Sequence, residues 1–279
     1  MSAQHWLRCA AALAVTFSVA ATAQQTRIYN TVKTKLEAGQ QVVGGTVTVA
    51  DPNIYCAMAN SGYDFLWIEM QHSPLTYQEV ARMIWACRDA PAIPFVRVPD
   101  ATAGDLQKAT DIGALGIIIP LVDTVEKISD AVRYAKFPPE GVRSLGGGQH
   151  RGLWGNDYRA TANDNIVIVA MIESPAGVAL ADDIAAVEGV DVVMAASTDL
   201  GSFSGLSQGT PEYEAMVTTI HDATLGAGLK LGGPQAWRDR AGFSFFQGPS
   251  DTALLGMGVA ASLQADATGV APTEGAEDD

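Results

Sequence analysis

The sequence predicts a closed (β/α)₈ barrel, and three observations predict it. Eight short apolar, β-prone runs recur along the chain. A helical pattern or a loop separates each run from the next. The interiors of the runs are continuously apolar instead of alternating, as in parallel strands covered on both faces. Eight strands in regular alternation with helices suit a barrel better than an open doubly wound sheet, and 279 residues accommodate one such unit.

Taken in order, the strands are expected at Val42–Val49, Phe65–Glu69, Ile93–Val98, Gly116–Ile119, Ile166–Ile172, Val190–Ala195, Leu229–Gly232 and Phe243–Gln247. Helical patterns occupy Asn53–Ser61, Thr76–Ala90, Ala103–Ile112, Val125–Ala135, Leu180–Val187, Tyr213–Ala227 and Pro234–Arg240. Thr76 followed by Glu79 reads as a capping box. Gly113, Gly189 and Gly228 fall where helices should stop. The stretch from Lys136 to Asn165 is long and holds Pro138-Pro139, Gly141 and Gly146-Gly147-Gly148. Such a connection is expected to form a lid or an interface loop. Residues Gly146–Gly152 are read as a mobile loop over the mouth, with His150 or Arg151 touching substrate. Trp154 and Tyr158 would supply an apolar wall or a subunit contact. No Gly-Lys-Ser/Thr ending follows the glycines, so this is not a phosphate loop.

The two ends lie outside the barrel, which is expected over residues 24–264. Arg8 is the sole formally charged side chain of the first 23 residues and precedes an apolar run from Ala10 to Ala21. That run ends in Ala21-Thr22-Ala23, the small-x-small pattern of a signal-peptidase site. An uncleaved N-terminal helix or a misplaced start is the alternative. The chain is therefore expected to be exported, to the periplasm, and free of the membrane once the signal is removed. Residues 265–279 are acidic and aperiodic and read as a disordered tail. Of the three cysteines, Cys56 and Cys87 remain after the signal, and an oxidising compartment permits them to pair. A net charge of −14 and the lack of a basic patch exclude nucleic acid as a partner.

Catalytic groups of a barrel gather at the C-terminal ends of its strands. The second strand runs into Glu69-Met70-Gln71-His72, and the third ends at Arg97. The fifth leads to Glu173, while Ser197-Thr198-Asp199 follows the sixth. Glu173 and Asp199 offer hard oxygen ligands suited to Mg²⁺ or Mn²⁺, with further positions left to water and substrate. A metal there would polarise a carbonyl and stabilise an enolate. His72 would move a proton near neutral pH, with Glu69 orienting its ring. Arg97 would hold a carboxylate or carbonyl oxygen through its planar fork. Together these describe carbon–carbon bond cleavage or formation. Each residue also has a plainer reading: Glu173 or Asp199 as a helix cap, His72 as a loop histidine, Arg97 as a partner of Asp100 or Asp111.

Several stretches carry a resemblance to a known family: Gly62-Tyr63-Asp64-Phe65, Gln71-His72, Val96-Arg97-Val98-Pro99, Gly113 through Pro120, Phe137-Pro138-Pro139-Glu140-Gly141-Val142-Arg143, Ile172-Glu173, Gly189-Val190-Asp191 and Asp199-Leu200. From about Tyr29 to Leu263 the chain resembles the HpcH/HpaI metal-dependent aldolases, which include 2-dehydro-3-deoxyglucarate and 4-hydroxy-2-oxoacid aldolases. The resemblance implies a barrel assembled into trimers or hexamers by exchange of a terminal helix. It implies Glu173 and Asp199 as metal ligands, His72 as base and Arg97 as the residue steadying the pyruvyl oxygens. The amides near Thr198 and Asp199 would take the pyruvate carboxylate, and Gln71, Thr198 and Arg143 would help hold substrate. The expected reaction splits a 4-hydroxy-2-oxoacid into pyruvate and an aldehyde, or reverses that addition.

The chain departs from the family pattern at three places. Glu69-Met70-Gln71-His72 stands for Asp-x-Glu-His, Met171 for a frequent polar residue, and Ala196-Ser197 for Gly-Pro before the metal aspartate. These changes leave the metal pair and base in place but reshape the pocket. Two further readings stay open. One is a Schiff-base mechanism on Lys230, the one lysine placed on a strand. The other is an exported binding or scaffold protein on a decayed aldolase barrel, suggested by Gln71 and Met171.

Overall fold

Strands that are apolar on both faces need cover on both faces, and the computed structural model, which describes residues 26–268, supplies it. Eight parallel strands close into a barrel in chain order: β1 (Val42–Val47), β2 (Phe65–Glu69), β3 (Ile93–Arg97), β4 (Gly116–Ile119), β5 (Val167–Ile172), β6 (Val192–Ala195), β7 (Lys230–Pro234) and β8 (Phe243–Ser250). β8 returns to pair with β1 through Val42–Phe245 and Val43–Phe246. All eight predicted strands are present, β2 and β4 over the expected residues and the others with shifted ends.

The helices form the outer layer and seal the base. They are α1 (Thr31–Glu37), α2 (Pro52–Ala59), α3 (Tyr77–Ala86), α4 (Ala103–Asp111), α5 (Val125–Ala135), α6 (His150–Trp154), α7 (Tyr158–Asn165), α8 (Pro175–Ala179), α9 (Ala181–Ala185), α10 (Ser197–Ser204), α11 (Pro211–Gly226) and α12 (Asp251–Thr268). The Thr76–Glu79 capping box opens α3, each side chain meeting the other residue's backbone N–H. Gly113, Gly189 and Gly228 have φ of +103°, +94° and +75°, the left-handed backbone that glycine adopts most readily at a helix exit.

Several expectations need correction. The helix expected over Pro234–Arg240 is a single 3₁₀ turn at Gln235–Trp237, because Gly233 and Pro234 extend the β7–β8 ladder instead. The helix expected over Leu180–Val187 starts earlier, at Pro175 under a Ser174 cap, and is interrupted at Leu180. α12 runs to Thr268, into the stretch from Ala265 expected to be disordered. The signal-peptide assignment and the rest of the acidic tail lie outside the described residues. Among the described residues, no helix is long and apolar enough to cross a membrane.

Two-residue alternation sorts the barrel interior into layers. Near the base, Phe65, Phe95 and Phe245 pack with ring centroids 4.6–5.8 Å apart. Room for these rings comes from glycine. A Cβ on Gly44 would lie 2.2 Å from the Phe65 ring, and one on Gly116 would lie 1.9 Å from that of Phe95. Below this plug, buried Asn30 caps α1 and donates to the carbonyls of Leu115 and Asn165, at 3.2 and 2.8 Å. Outside the barrel, a disulfide joins Cys56 of α2 to Cys87, the residue ending α3, with Cα atoms 5.5 Å apart.

Candidate active site

Two residues above Phe65 stands Trp67, and two above that Glu69. The same step leads from Phe95 to Arg97, from Phe245 to Gln247, and from Met171 to Glu173 just past β5. Alternation alone therefore aims Glu69, Arg97, Glu173 and Gln247 inward at the C-terminal rim.

Glu69 is buried and fully engaged. Its Oε1 accepts the backbone N–H groups of Gln71 and His72 at 2.9 and 3.1 Å. Its Oε2 accepts Trp67 Nε1–H at 3.1 Å and Arg97 Nη1–H at 3.2 Å. The expected contact to the His72 ring is thus replaced: Glu69 fixes the backbone of the following turn, and His72 is exposed at the rim. Gln71 is half-buried, and its Oε1 has no hydrogen-bond partner although it is shielded from solvent.

Arg97 spans two carboxylates, with Nη2 donating to Glu173 Oε1 at 3.1 Å. Its pairing is therefore with Glu69 and Glu173, and not with Asp100 or Asp111. Arg97 Nε is buried without a partner. Glu173 is 1% exposed, and its carboxyl is pushed up to about 7. Burial is the main cause; nearby Asp199 adds to it, and Arg97 opposes it. The cap of α8 is Ser174 and not Glu173: its hydroxyl takes the Gly177 N–H and also bonds Asp123 at 2.5 Å. Asp199 lies in the first turn of α10, where no side chain caps the helix, so it too is free of that role.

A cavity of about 160 Å³ opens between these groups, lined among others by Arg97, Met171, Met194, Thr198, Asp199 and Gln247. Larger hollows of about 500 Å³ lie on the outer surface, one of them an apolar groove between α2 and α12. Of these hollows it is the rim cavity that adjoins the charged cluster.

Three expectations fall at the wrong end of the barrel. Arg143 donates to Asp111 Oδ1 at 2.8 Å and to the Tyr158 hydroxyl at 2.9 Å. Asp111 ends α4 just before β4 begins, so Arg143 is a structural brace at the base and does not join the site. The glycine-rich segment lies there too, tied by Gln149 Nε2 to the carbonyls of Ala81 and Ile112 at 2.9 and 2.7 Å. It is not a lid over the mouth; an α5-to-β5 connection necessarily runs across the base. Lys230 is the first residue of β7, again at the base, far from where a Schiff base would be needed. Sequence reasoning missed Thr46, Trp67 and Gln247. Counting by twos upward from Gly44, Phe65 and Phe245 would have found them.

A parallel barrel with an arginine and several carboxylates at its C-terminal rim has the layout of a (β/α)₈ barrel enzyme, whose chemistry sits at that face. The comparisons narrow this. Residues 46–230 match the model of the HpcH/HpaI aldolase/citrate lyase family. The chain belongs to that family, and so to carbon–carbon lyases of the aldolase type. It is 31% identical over 236 residues to a hydroxypyruvate/pyruvate aldolase of Rhizorhabdus wittichii, covering 81% of this chain and 94% of the relative. It is 33% identical over 178 residues to a 5-keto-4-deoxy-D-glucarate aldolase of Salmonella arizonae, covering 63% of this chain and 70% of that one. Among solved structures, a family member from Burkholderia cenocepacia J2315 superposes with a TM-score of 0.78 at 28% identity, covering 84% of this chain and 98% of that one. The citrate synthase SbnG gives 0.73 at 30% identity, with 85% and 97% covered.

Proposed function

We propose that the protein is a divalent-metal-dependent aldolase that cleaves or forms a hydroxy-oxoacid through an enolate. The observation that carries this reading is one small cavity at the barrel rim lined by Asp199 and Arg97, with Glu173 held against Arg97 and close enough to Asp199 to feel its charge. The donor set fits a hard cation. Glu173 is held at about 7 by burial beside a second carboxylate, a repulsion that a bound cation relieves. Among the described residues no group of three or more His, Cys, Asp or Glu side chains is arranged to hold a metal ion by itself. Glu173 and Asp199 would therefore hold the ion together with water and the oxoacid, as suits Mg²⁺ or Mn²⁺. When bound, such an ion offsets the negative charge that builds on the oxoacid carbonyl oxygen.

The chain's own residues do the rest. Arg97, held by Glu69 and Glu173 and with Nε unpaired, donates to the oxoacid's oxygens. The first backbone amides of α10, near Thr198 and Asp199, face the substrate carboxylate. His72 takes the proton of the C4 hydroxyl as the C3–C4 bond breaks, releasing the aldehyde. The electron pair of that bond passes to the oxoacid fragment, and a proton returned to C3 gives pyruvate. Run backwards, the same groups add pyruvate to an aldehyde. Gln71 stands beside this path with an unpaired acceptor, available to a substrate hydroxyl.

Assay of oxoacid cleavage with Mg²⁺ or Mn²⁺, before and after EDTA, tests the reading. Activity is expected to vanish with the metal and in Glu173→Ala and Asp199→Ala. Full activity in EDTA overturns it.

The same reading carries export to the periplasm and assembly into a homo-oligomer. The leader pattern and the Cys56–Cys87 disulfide support the first. The second is supported by α12, where Leu255, Met257, Val259 and Leu263 are 57–66% exposed on an isolated chain. Sedimentation of the purified protein tests the oligomer, and cell fractionation tests the address.

A further inference from the structure

The rim cavity has two unlike walls. Its charged wall is Arg97 and Asp199, with Glu69 and Glu173 buried behind the guanidinium. Met171 and Met194 are apolar, and Pro234 has no N–H to offer. Apart from the hydroxyl-bearing Ser197 and Thr198 at the start of α10, its remaining polar side chain is Gln247.

Gln247 is oriented from behind. Thr46 Oγ1 donates its proton to the Gly248 carbonyl at 2.9 Å, so it meets Gln247 as an acceptor, receiving Nε2–H at 3.4 Å. That contact fixes which way the amide is turned. Among the described residues, Gln247 Oε1 has no protein partner. An amide carbonyl without a donor is satisfied by a single hydroxyl. A second carboxylate would meet that acceptor, and Arg97, the cation in the cavity lining, already spans two carboxylates.

We propose that Gln247, set by Thr46, makes this cavity select a small uncharged hydroxyaldehyde over its deoxy isostere and over an acid aldehyde. The proposal rests on the aldolase reading above. A site that hydrogen-bonds a hydroxyl discriminates against the analogue lacking it, because its own polar groups are then left unpaired.

The test is aldol addition of pyruvate, with saturating Mg²⁺ or Mn²⁺, to glycolaldehyde, to propionaldehyde (equal in heavy atoms) and to glyoxylate. The wild type is expected to favour glycolaldehyde over both in kcat/KM, by about tenfold over propionaldehyde for one well-made hydrogen bond. In Gln247→Leu that ratio is expected to fall toward unity. Thr46→Val, which leaves Gln247 in place but unoriented, should lower it too, through KM for glycolaldehyde. An unchanged ratio in a folded Gln247→Leu overturns the proposal, and where that variant does not fold, an unchanged ratio in Thr46→Val does so. A wild type that prefers propionaldehyde or glyoxylate overturns it as well, while leaving the aldolase reading intact. No turnover of any pair overturns both.

Discussion

Arg97 Nη2 lies 3.1 Å from Glu173 Oε1, and the two side chains are only 7% and 1% exposed. The same guanidinium reaches Glu69 Oε2 at 3.2 Å, so one cation serves two buried carboxylates. Removing it would leave both without their charge partner, while removing either carboxylate would leave the other in place.

That asymmetry makes a stability prediction. Arg97→Leu is expected to destabilise the metal-free protein by about 3–5 kcal/mol near neutral pH, the usual effect of stranding a buried charge. The loss should shrink in acid, where the carboxylates take up protons. Urea denaturation at two pH values checks this; an equal loss at both would argue against a charge effect.

Glu173 predicts a pH dependence of opposite sense to most carboxylates. Its folded pKa of about 7 stands above the ordinary 4.5, so the folded state holds the extra proton. Between these values stability should fall as pH rises, by an amount on the order of 3 kcal/mol for this group alone. Glu173→Gln should remove that slope in EDTA. Saturating Mg²⁺ should also flatten it, since the ion favours the ionised form. Denaturation midpoints across pH 4.5–8 provide the measurement.

The Cys56–Cys87 bridge closes a 31-residue separation between α2 and α3. Reduction, or the double change Cys56→Ser and Cys87→Ser, is expected to cost about 2–4 kcal/mol. Mass spectrometry of the unreduced protein should find neither thiol alkylated, and calorimetry should show the lower melting temperature after reduction.

Gly116→Ala should be more harmful than its size suggests. The new methyl would lie 1.9 Å from Phe95 Cδ1, inside the aromatic layer that plugs the barrel. Overpacking of this kind costs about 1–3 kcal/mol, and guanidinium denaturation reads it. Gly104→Ala is the control, since in the exposed first turn of α4 its Cβ meets nothing nearer than 3.8 Å.

The strands were legible because burial on both faces leaves unbroken apolar runs such as Gly116–Ile119 and Val167–Ile172. The capping box at Thr76 and the glycine stops were legible because each satisfies a local backbone need. Glu69, Arg97, Glu173 and Asp199 could be listed from strand ends. Less visible were α6, α7, α10 and α12, which are short or weakly amphipathic and take their place from packing. Arg143 and the glycine-rich segment were misplaced because a motif reveals its chemistry but not the end of the barrel it faces.

By itself, then, the sequence determined the barrel, its strand order and the residues brought to its rim, since periodicity and turn chemistry act over a few residues. The tertiary structure alone decided who pairs with whom. It gave Arg97 to Glu69 and Glu173, turned Glu69 from the His72 ring to the His72 backbone, and sent Arg143 to Asp111 at the base. These are contacts between residues about 30 or more positions apart, or depend on them, and they are set by strand register and barrel closure, which no local pattern encodes.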